Sequence, residues 1–172
     1  MKDEKVWLRP LESDDLDTLY TWENDPEMWG VSNTLMPFSR NILAKFIANQ
    51  ALDIYETKQT RFLIESSETG KPIGTIDLFD FDPFHRRAGV GIMIYDKHDR
   101  GKGHAKAALK LLANYAFRTL ELHQLYANIA EDNIHSLKLF ESSGFEVCGV
   151  KKEWLRSGGK WKSEITLQLL NR

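Results

Sequence analysis

Alternating apolar segments in mid-chain, a buried run that feeds a glycine-rich turn and a long helical pattern, and a Gly-Gly hairpin near the C-terminus predict a mixed α/β layer fold. Val6–Pro10 reads as a short strand that Pro10 ends or holds at a sheet edge, since proline has no N–H for a ladder. Ser13-Asp14-Asp15 predicts the cap of a helix carrying Leu16, Leu19, Tyr20 and Trp22, broken at Asn24-Asp25-Pro26. Glu27 to Pro37 reads as a loop holding Trp29 and Gly30. Ser39 caps a second helix with Ile42, Leu43, Phe46 and Ile47 on its apolar side.

Strands are expected at Arg61–Ser66 and Pro72–Phe81, joined by a turn at Glu68-Thr69-Gly70-Lys71. The apolar phase slips between Leu78 and Phe79, which predicts a bulge or twist. Gly89–Tyr95 is apolar on both faces, as for a strand in mid-sheet. Ala105, Ala108, Leu109, Leu112, Ala116 and Leu120 mark a long helix. A strand at Leu125–Ala130 and a helix from Asn133, ended by Gly144, follow. Val147–Trp154 and Trp161–Leu170 close the chain as a hairpin around Ser157-Gly158-Gly159-Lys160.

The chain has 172 residues, 42% hydrophobic and 28% charged, which predicts one domain spanning 1–172 and excludes collagen-like, coiled-coil and largely disordered classes. A net charge of −2 gives none of the basic excess that drives non-specific nucleic-acid binding. Cys148 is alone, so no intrachain disulfide or paired-cysteine metal site forms, and it reads as a buried bystander. The five histidines show no HExxH or paired spacing, so no catalytic metal is expected. Without an apolar leader or a membrane-length apolar run, the expected location is cytoplasmic.

Arg100-Gly101-Lys102-Gly103-His104-Ala105 carries the strongest chemical signal. A glycine turn opening a helix presents backbone N–H groups at a positive helix end, which suits phosphate. A Walker A loop needs G-x-x-x-x-G-K-[ST], and the dinucleotide fingerprint needs a third glycine where Lys106 stands, so both fail. What remains, R-x-x-G-x-A, resembles the coenzyme A pyrophosphate loop of the GNAT N-acetyltransferases. Asn133-Ile-His-Ser136, continuing through Phe140 to Gly144-Phe145, resembles that family's second signature, one helix and one strand further on. The likeness spans nearly the whole chain. Phe84-His85-Arg86-Arg87-Ala88 and Tyr115-Ala116-Phe117 are similar to stretches of the spermidine (diamine) acetyltransferases, and more loosely to relatives that acetylate protein N-termini.

The resemblance implies a mostly antiparallel sheet with a splayed central strand pair and helices on both faces. It implies acetyl-CoA as co-substrate, held by the backbone of Ile92, Met93 and Ile94, by the loop Arg100, Gly101, Lys102, Gly103, His104 and Ala105, and by Asn133, Ser136 and Phe140. Lys102 and Lys106 lie where the 3′-phosphoadenosine end would be. Met93 N–H is the expected oxyanion donor. The acceptor implied is a polyamine or other small primary amine, attacking directly without an acyl-enzyme. Carboxylates and indole faces suit such a cation, which singles out Glu23, Asp25, Glu27 and Trp29. An ammonium of pKa near 10 must lose its proton first. Candidate bases are Asp77, Asp80, Asp82 and His85, with Tyr126 as a base or acid on the splayed strand.

Two positions depart from the polyamine pattern. Phe140 stands where those enzymes carry a tyrosine proposed to protonate the leaving thiolate, and Gly89 stands where they often carry a glutamate. Acetylation of a peptide N-terminus, and a non-catalytic acyl-CoA-binding module, are therefore the alternatives. Trp154 and Trp161 on the last hairpin predict a homodimer or larger homo-oligomer.

Overall fold

The computed structural model describes residues 1–32 and 34–172. One seven-stranded sheet runs β1 (Val6–Pro10), β2 (Thr60–Ser66), β3 (Pro72–Asp82), β4 (Arg87–Ile94), β5 (Gln124–Ala130), β7 (Lys160–Leu170), β6 (Glu146–Ser157) in spatial order. Every neighbouring pair is antiparallel except β4 with β5. The helices are α1 (Leu16–Glu23), α2 (Pro26–Ser32), α3 (Arg40–Asn49), α4 (Ile54–Thr57), α5 (His104–Arg118) and α6 (Ile134–Glu141).

Strand alternation divides the core. Ile64 joins the large cluster under α5 and α6, while its neighbour Leu63 joins Leu11, Leu19 and Ile47 on the opposite face, under α1 and α3. The α5 stripe Ala108, Leu109, Leu112 and Ala116 is buried against Ile76, Leu78, Val90 and Ile94. β4 holds the middle of the sheet, as its two-sided apolar pattern predicts.

The structure corrects several expectations. The segment read as a loop from Glu27 contains α2, which starts at Pro26, and the Asn33 part of that reading lies outside the described residues. Asp25 Oδ1 accepts Glu27 N at 2.9 Å, so Asp-Pro starts a new helix as well as ending the old one. Ser13–Asp15 is a short 3₁₀ turn leading into α1, with Asp15 at the N-cap position but making no side-chain cap bond there. The β3 irregularity falls between Phe79 and Asp82, where Asp80 has φ 48°, later than the predicted slip. Cys148 is exposed, its Sγ 3.4 Å from Thr166 O, because β6 is an edge strand with little packed against it.

Asp15 fastens α1 to β1. Its carboxylate takes Arg9 Nη1 at 2.7 Å, Arg9 Nη2 at 2.8 Å and Glu12 N at 2.8 Å. Burial alone pushes the Asp15 carboxyl up, but the Arg9 guanidinium and the Glu12 amide outweigh it and hold the pKa below the ordinary 3.8. The stabilisation this gives is complete above about pH 4 and is lost as pH falls through the depressed value. Asp15→Asn is expected to destabilise the protein by about 2 kcal/mol at pH 7. Denaturant melts at pH 7 and pH 3 check this: the gap between variant and wild type narrows at pH 3.

Candidate active site

β4 and β5 are paired only at Arg87–Gln124, Ala88–Leu125 and Gly89–Tyr126, then diverge. The backbone of β4 beyond the Val90 N–H therefore lacks a partner on the β5 side, and hydrogen-bond parity fixes which groups face the gap. Leu8 N donates to Met1 O at 2.7 Å, away from β2, while Lys5 O accepts Ser67 N at 2.9 Å. With Arg9 opposite Leu63, Leu63 turns its N–H and C=O to β1, and Phe62 turns to β3, opposite Ile76. Thr75 then turns to β4, opposite Met93. Tyr95 N, donating to Ile73 O at 3.1 Å, keeps the same phase.

Met93 is thus hydrogen-bonded to Thr75. Val90 N–H belongs to the last rung, at Tyr126, and Ile94 O accepts Arg100 Nε, so Val90 C=O, both groups of Ile92 and Ile94 N–H face the gap. Ile92 N–H therefore faces the opening, whereas Met93 N–H, the expected oxyanion donor, is turned to β3. Side-chain alternation reveals which face a residue covers but not which edge its amide serves. Gly74 is required beside this ladder, because a Cβ there would sit 2.1 Å from Met93 O.

Two cavities meet at the gap, sharing Ile92, Met93, Asn133 and Ser136. The larger, about 1050 Å³, lies over the start of α5 and is lined by Ile94, Arg100, Gly101, Gly103, His104, Ala105 and Lys106. Gly101 and Gly103 have φ 75° and 87°, conformations that L-residues rarely adopt. The first N–H groups of α5 have no intrahelical acceptor; the helical ladder begins with Ala107 N to Gly103 O at 3.0 Å. Arg100 braces the loop rather than presenting its charge, with Nε 3.0 Å from Ile94 O and Nη2 3.0 Å from Tyr95 O. His104 is buried with Nδ1 3.2 Å from Asp99 O, and Lys102 reaches Asp99 Oδ1 at 3.4 Å. Asn133 Oδ1 caps α6 by accepting Ser136 N at 3.2 Å. The open glycine cradle and the amides beside it fit a pyrophosphate, and the gap-facing strand edge fits an amide-bearing chain.

The second cavity, about 650 Å³, lies on the other side of the gap. Its lining includes Glu23, Arg61, Asp77, Phe79, Tyr95, Asp132, Phe140, Lys162 and Glu164. Arg61, which sequence reasoning passed over, organises the floor. Its Nε and Nη2 each lie 2.7 Å from Asp77, its Nη1 lies 2.6 Å from Glu23, and it covers the Phe46 ring at 5.0 Å. Asp77 thus faces the cavity but already holds a cation. Lys162 pairs with Asp132 at 2.5 Å and Lys151 with Glu164 at 2.8 Å. Tyr95 stacks on Trp22 at 4.3 Å; burial first, then the Glu23 charge, push its phenol well above the usual value, so it stays protonated at neutral pH. Phe140 is buried edge-on to Phe145 at 4.9 Å.

The remaining candidates lie elsewhere. His85 occupies an exposed turn at the closed end of the strand pair, its amide 2.9 Å from Asp82 Oδ1, and lines neither cavity. Tyr126 is also at the closed end; its hydroxyl lies 3.3 Å from Asp80, and burial and that carboxylate push its pKa up. Both positions are set by the strand pairing, which opens only beyond Gly89. Asp25 caps α2 and lines neither cavity, and Trp29 Nε1 donates to Glu23 O at 2.9 Å, also outside both. Glu27 pairs with Lys97 at 2.7 Å on the rim of the larger cavity, not the smaller. Of the four residues expected at the acceptor, only Glu23 lines the smaller cavity. A Cβ at Gly89 would sit 2.3 Å from the Phe79 ring, so that ring fills the space a larger side chain would need. Among the described residues, no group of three or more His, Cys, Asp or Glu is arranged to hold a metal ion.

Comparison with known proteins gives this architecture its class. The profile of the acetyltransferase (GNAT) domain matches residues 5–146. The chain is 30% identical over 170 residues to an uncharacterized N-acetyltransferase, p20, of Bacillus licheniformis, covering 98% of this chain and 94% of that one. It is 27% identical over 165 residues to the spermidine N(1)-acetyltransferase of Escherichia coli K12, covering 94% and 84%. Among solved structures, the spermidine N-acetyltransferase from Vibrio cholerae in complex with CoA and spermine superposes with a TM-score of 0.87 at 24% identity, covering 98% and 96%. A dodecameric form of that enzyme superposes with a TM-score of 0.79 at 25% identity, covering 98% and 95%. The chain belongs to the GNAT acetyltransferase family. It is an acetyl-CoA-dependent N-acetyltransferase.

Proposed function

We propose that this enzyme, one domain over 1–172, acetylates a small primary amine of the polyamine type by direct attack within a ternary complex. The observation that carries the reading is the meeting of two cavities at the unpaired edge of β4. The amides from Gly101 into the first turn of α5 receive the pyrophosphate, with the Lys106 side chain beside them. Both backbone groups of Ile92 and the N–H of Ile94 receive the pantetheine amides and the thioester, with Met93, Asn133 and Ser136 at the junction. Ile92 N–H stabilises the charge that develops on the thioester oxygen. The amine enters through the smaller cavity, forms the C–N bond and loses a proton as the C–S bond breaks. Phe140 has no proton for the departing thiolate, so water supplies it.

The ammonium proton also leaves through water, because Glu23 and Asp77 are both held by Arg61. The same pairing favours a second reading. The carboxylates Glu23, Asp77, Asp132 and Glu164 each pair with a cation of this chain, so the cleft is less acidic than a multiply charged polyamine needs. An acceptor with one ammonium, such as a peptide N-terminus, fits that charge balance, whereas the spermidine N(1)-acetyltransferase relative supports the polyamine.

Thiol release from acetyl-CoA, measured at pH 7 to 9 with spermidine, spermine, putrescine, amino acids and short peptides, decides between them. Turnover with polyamines is expected. Turnover with peptides alone would move the acceptor to the second reading, and binding of acetyl-CoA with no turnover would place the acceptor outside this panel. We further propose a cytoplasmic homo-oligomer, supported by Trp154 and Trp161, which are 59% and 58% exposed, and by the dodecameric relative. No helix among the described residues is long and apolar enough to cross a membrane.

A further inference from the structure

Lys5 is remote from the glycine loop in sequence, yet its side chain ends on it, with Nζ donating to Lys102 O at 3.0 Å. The stem starts from a fixed point. Lys5 N donates to Asp3 Oδ1 at 2.8 Å, and Lys5 O accepts Ser67 N at 2.9 Å. Lys102 O and Gly103 N–H belong to one peptide unit, and no peptide bond among the described residues is cis. In a trans unit the carbonyl and the N–H point in opposite directions. Holding Lys102 O from the β1 side therefore turns Gly103 N–H the other way. Gly103 lines the larger cavity, while Lys5 and Lys102 do not. A Cβ on Gly103 would sit 2.9 Å from Lys5 Nζ, so the ammonium lies against the back of the loop. A cation beside the positive end of a 15-residue helix is unfavourable alone and becomes favourable once an anion arrives.

We propose that Lys5 is a positioning residue for acetyl-CoA: by gripping the Lys102 carbonyl it aims the Gly103 amide at the pyrophosphate. This rests on the reading that the loop receives the pyrophosphate. Steady-state kinetics of wild type, Lys5→Met and Lys5→Arg with acetyl-CoA and with S-acetylpantetheine, which carries the same thioester without the pyrophosphate, test it. Lys5→Met is expected to raise the acetyl-CoA KM about tenfold, the size of one charge-assisted hydrogen bond, with kcat unchanged. S-acetylpantetheine kinetics should not move, and Lys5→Arg should restore most of the affinity. An acetyl-CoA KM within twofold of wild type, or an equal loss with both donors, overturns the proposal. If wild type itself fails to prefer acetyl-CoA over S-acetylpantetheine, the reading of the loop fails and Lys5 falls with it.

Discussion

Gly103→Val is expected to raise the acetyl-CoA KM by about 10²-fold while leaving most of the fold intact. Gly103 has φ 87°, and a β-branched residue held there would carry strain of about 1–3 kcal/mol. Lys5 Nζ, the atom nearest the added Cβ, ends a flexible side chain and moves away cheaply. The loop therefore relieves the strain by leaving its cradle conformation, and α5 stays anchored by Ala108, Leu109, Leu112 and Ala116. Affinity suffers more than stability. Titration with acetyl-CoA and a thermal melt on the same sample separate the two effects. An unchanged affinity would remove the loop from the binding site.

Arg61→Met is expected to destabilise the enzyme by about 3 kcal/mol, lowering Tm by about 6–12 °C. The Arg61, Glu23 and Asp77 side chains are only 19%, 13% and 18% exposed, so losing the guanidinium strands two carboxylates in a poorly hydrated place. The cost comes from the unpaired charges more than from the lost attraction. Adding Glu23→Gln and Asp77→Asn should therefore recover most of the stability. Calorimetry of the single and triple variants tests this; a triple variant no more stable than the single one would mean that Arg61 acts through packing on Phe46 instead.

Much of the fold is legible because its signals are local. The two-sided apolar run of β4, the α5 stripe and the Gly-Gly hairpin turn, with φ 56° and 79°, each lie within a short window. α2 was missed because Asp-Pro signals both an end and a start, and only the end was read. The glycine loop is legible for the same reason as α5, since its glycines adjoin the helix they open. The lining of the smaller cavity is not. Arg61 meets Glu23 and Asp77 through partners 38 and 16 residues away, and no spacing rule brings them together. Lys5 and Lys102 are 97 residues apart. Glu27 and Asp25, close to Glu23 in sequence, end up on the rim of the larger cavity and at a helix cap because α2 redirects the chain.

Amide hydrogen exchange with and without coenzyme A tests the central claim most directly. The account predicts that Met93 N–H is protected in the free enzyme, through Thr75, and that coenzyme A newly protects Ile92, Ile94 and the amides of the 101–106 loop. Protection that appears at Met93 instead, or that leaves the loop untouched, would contradict it.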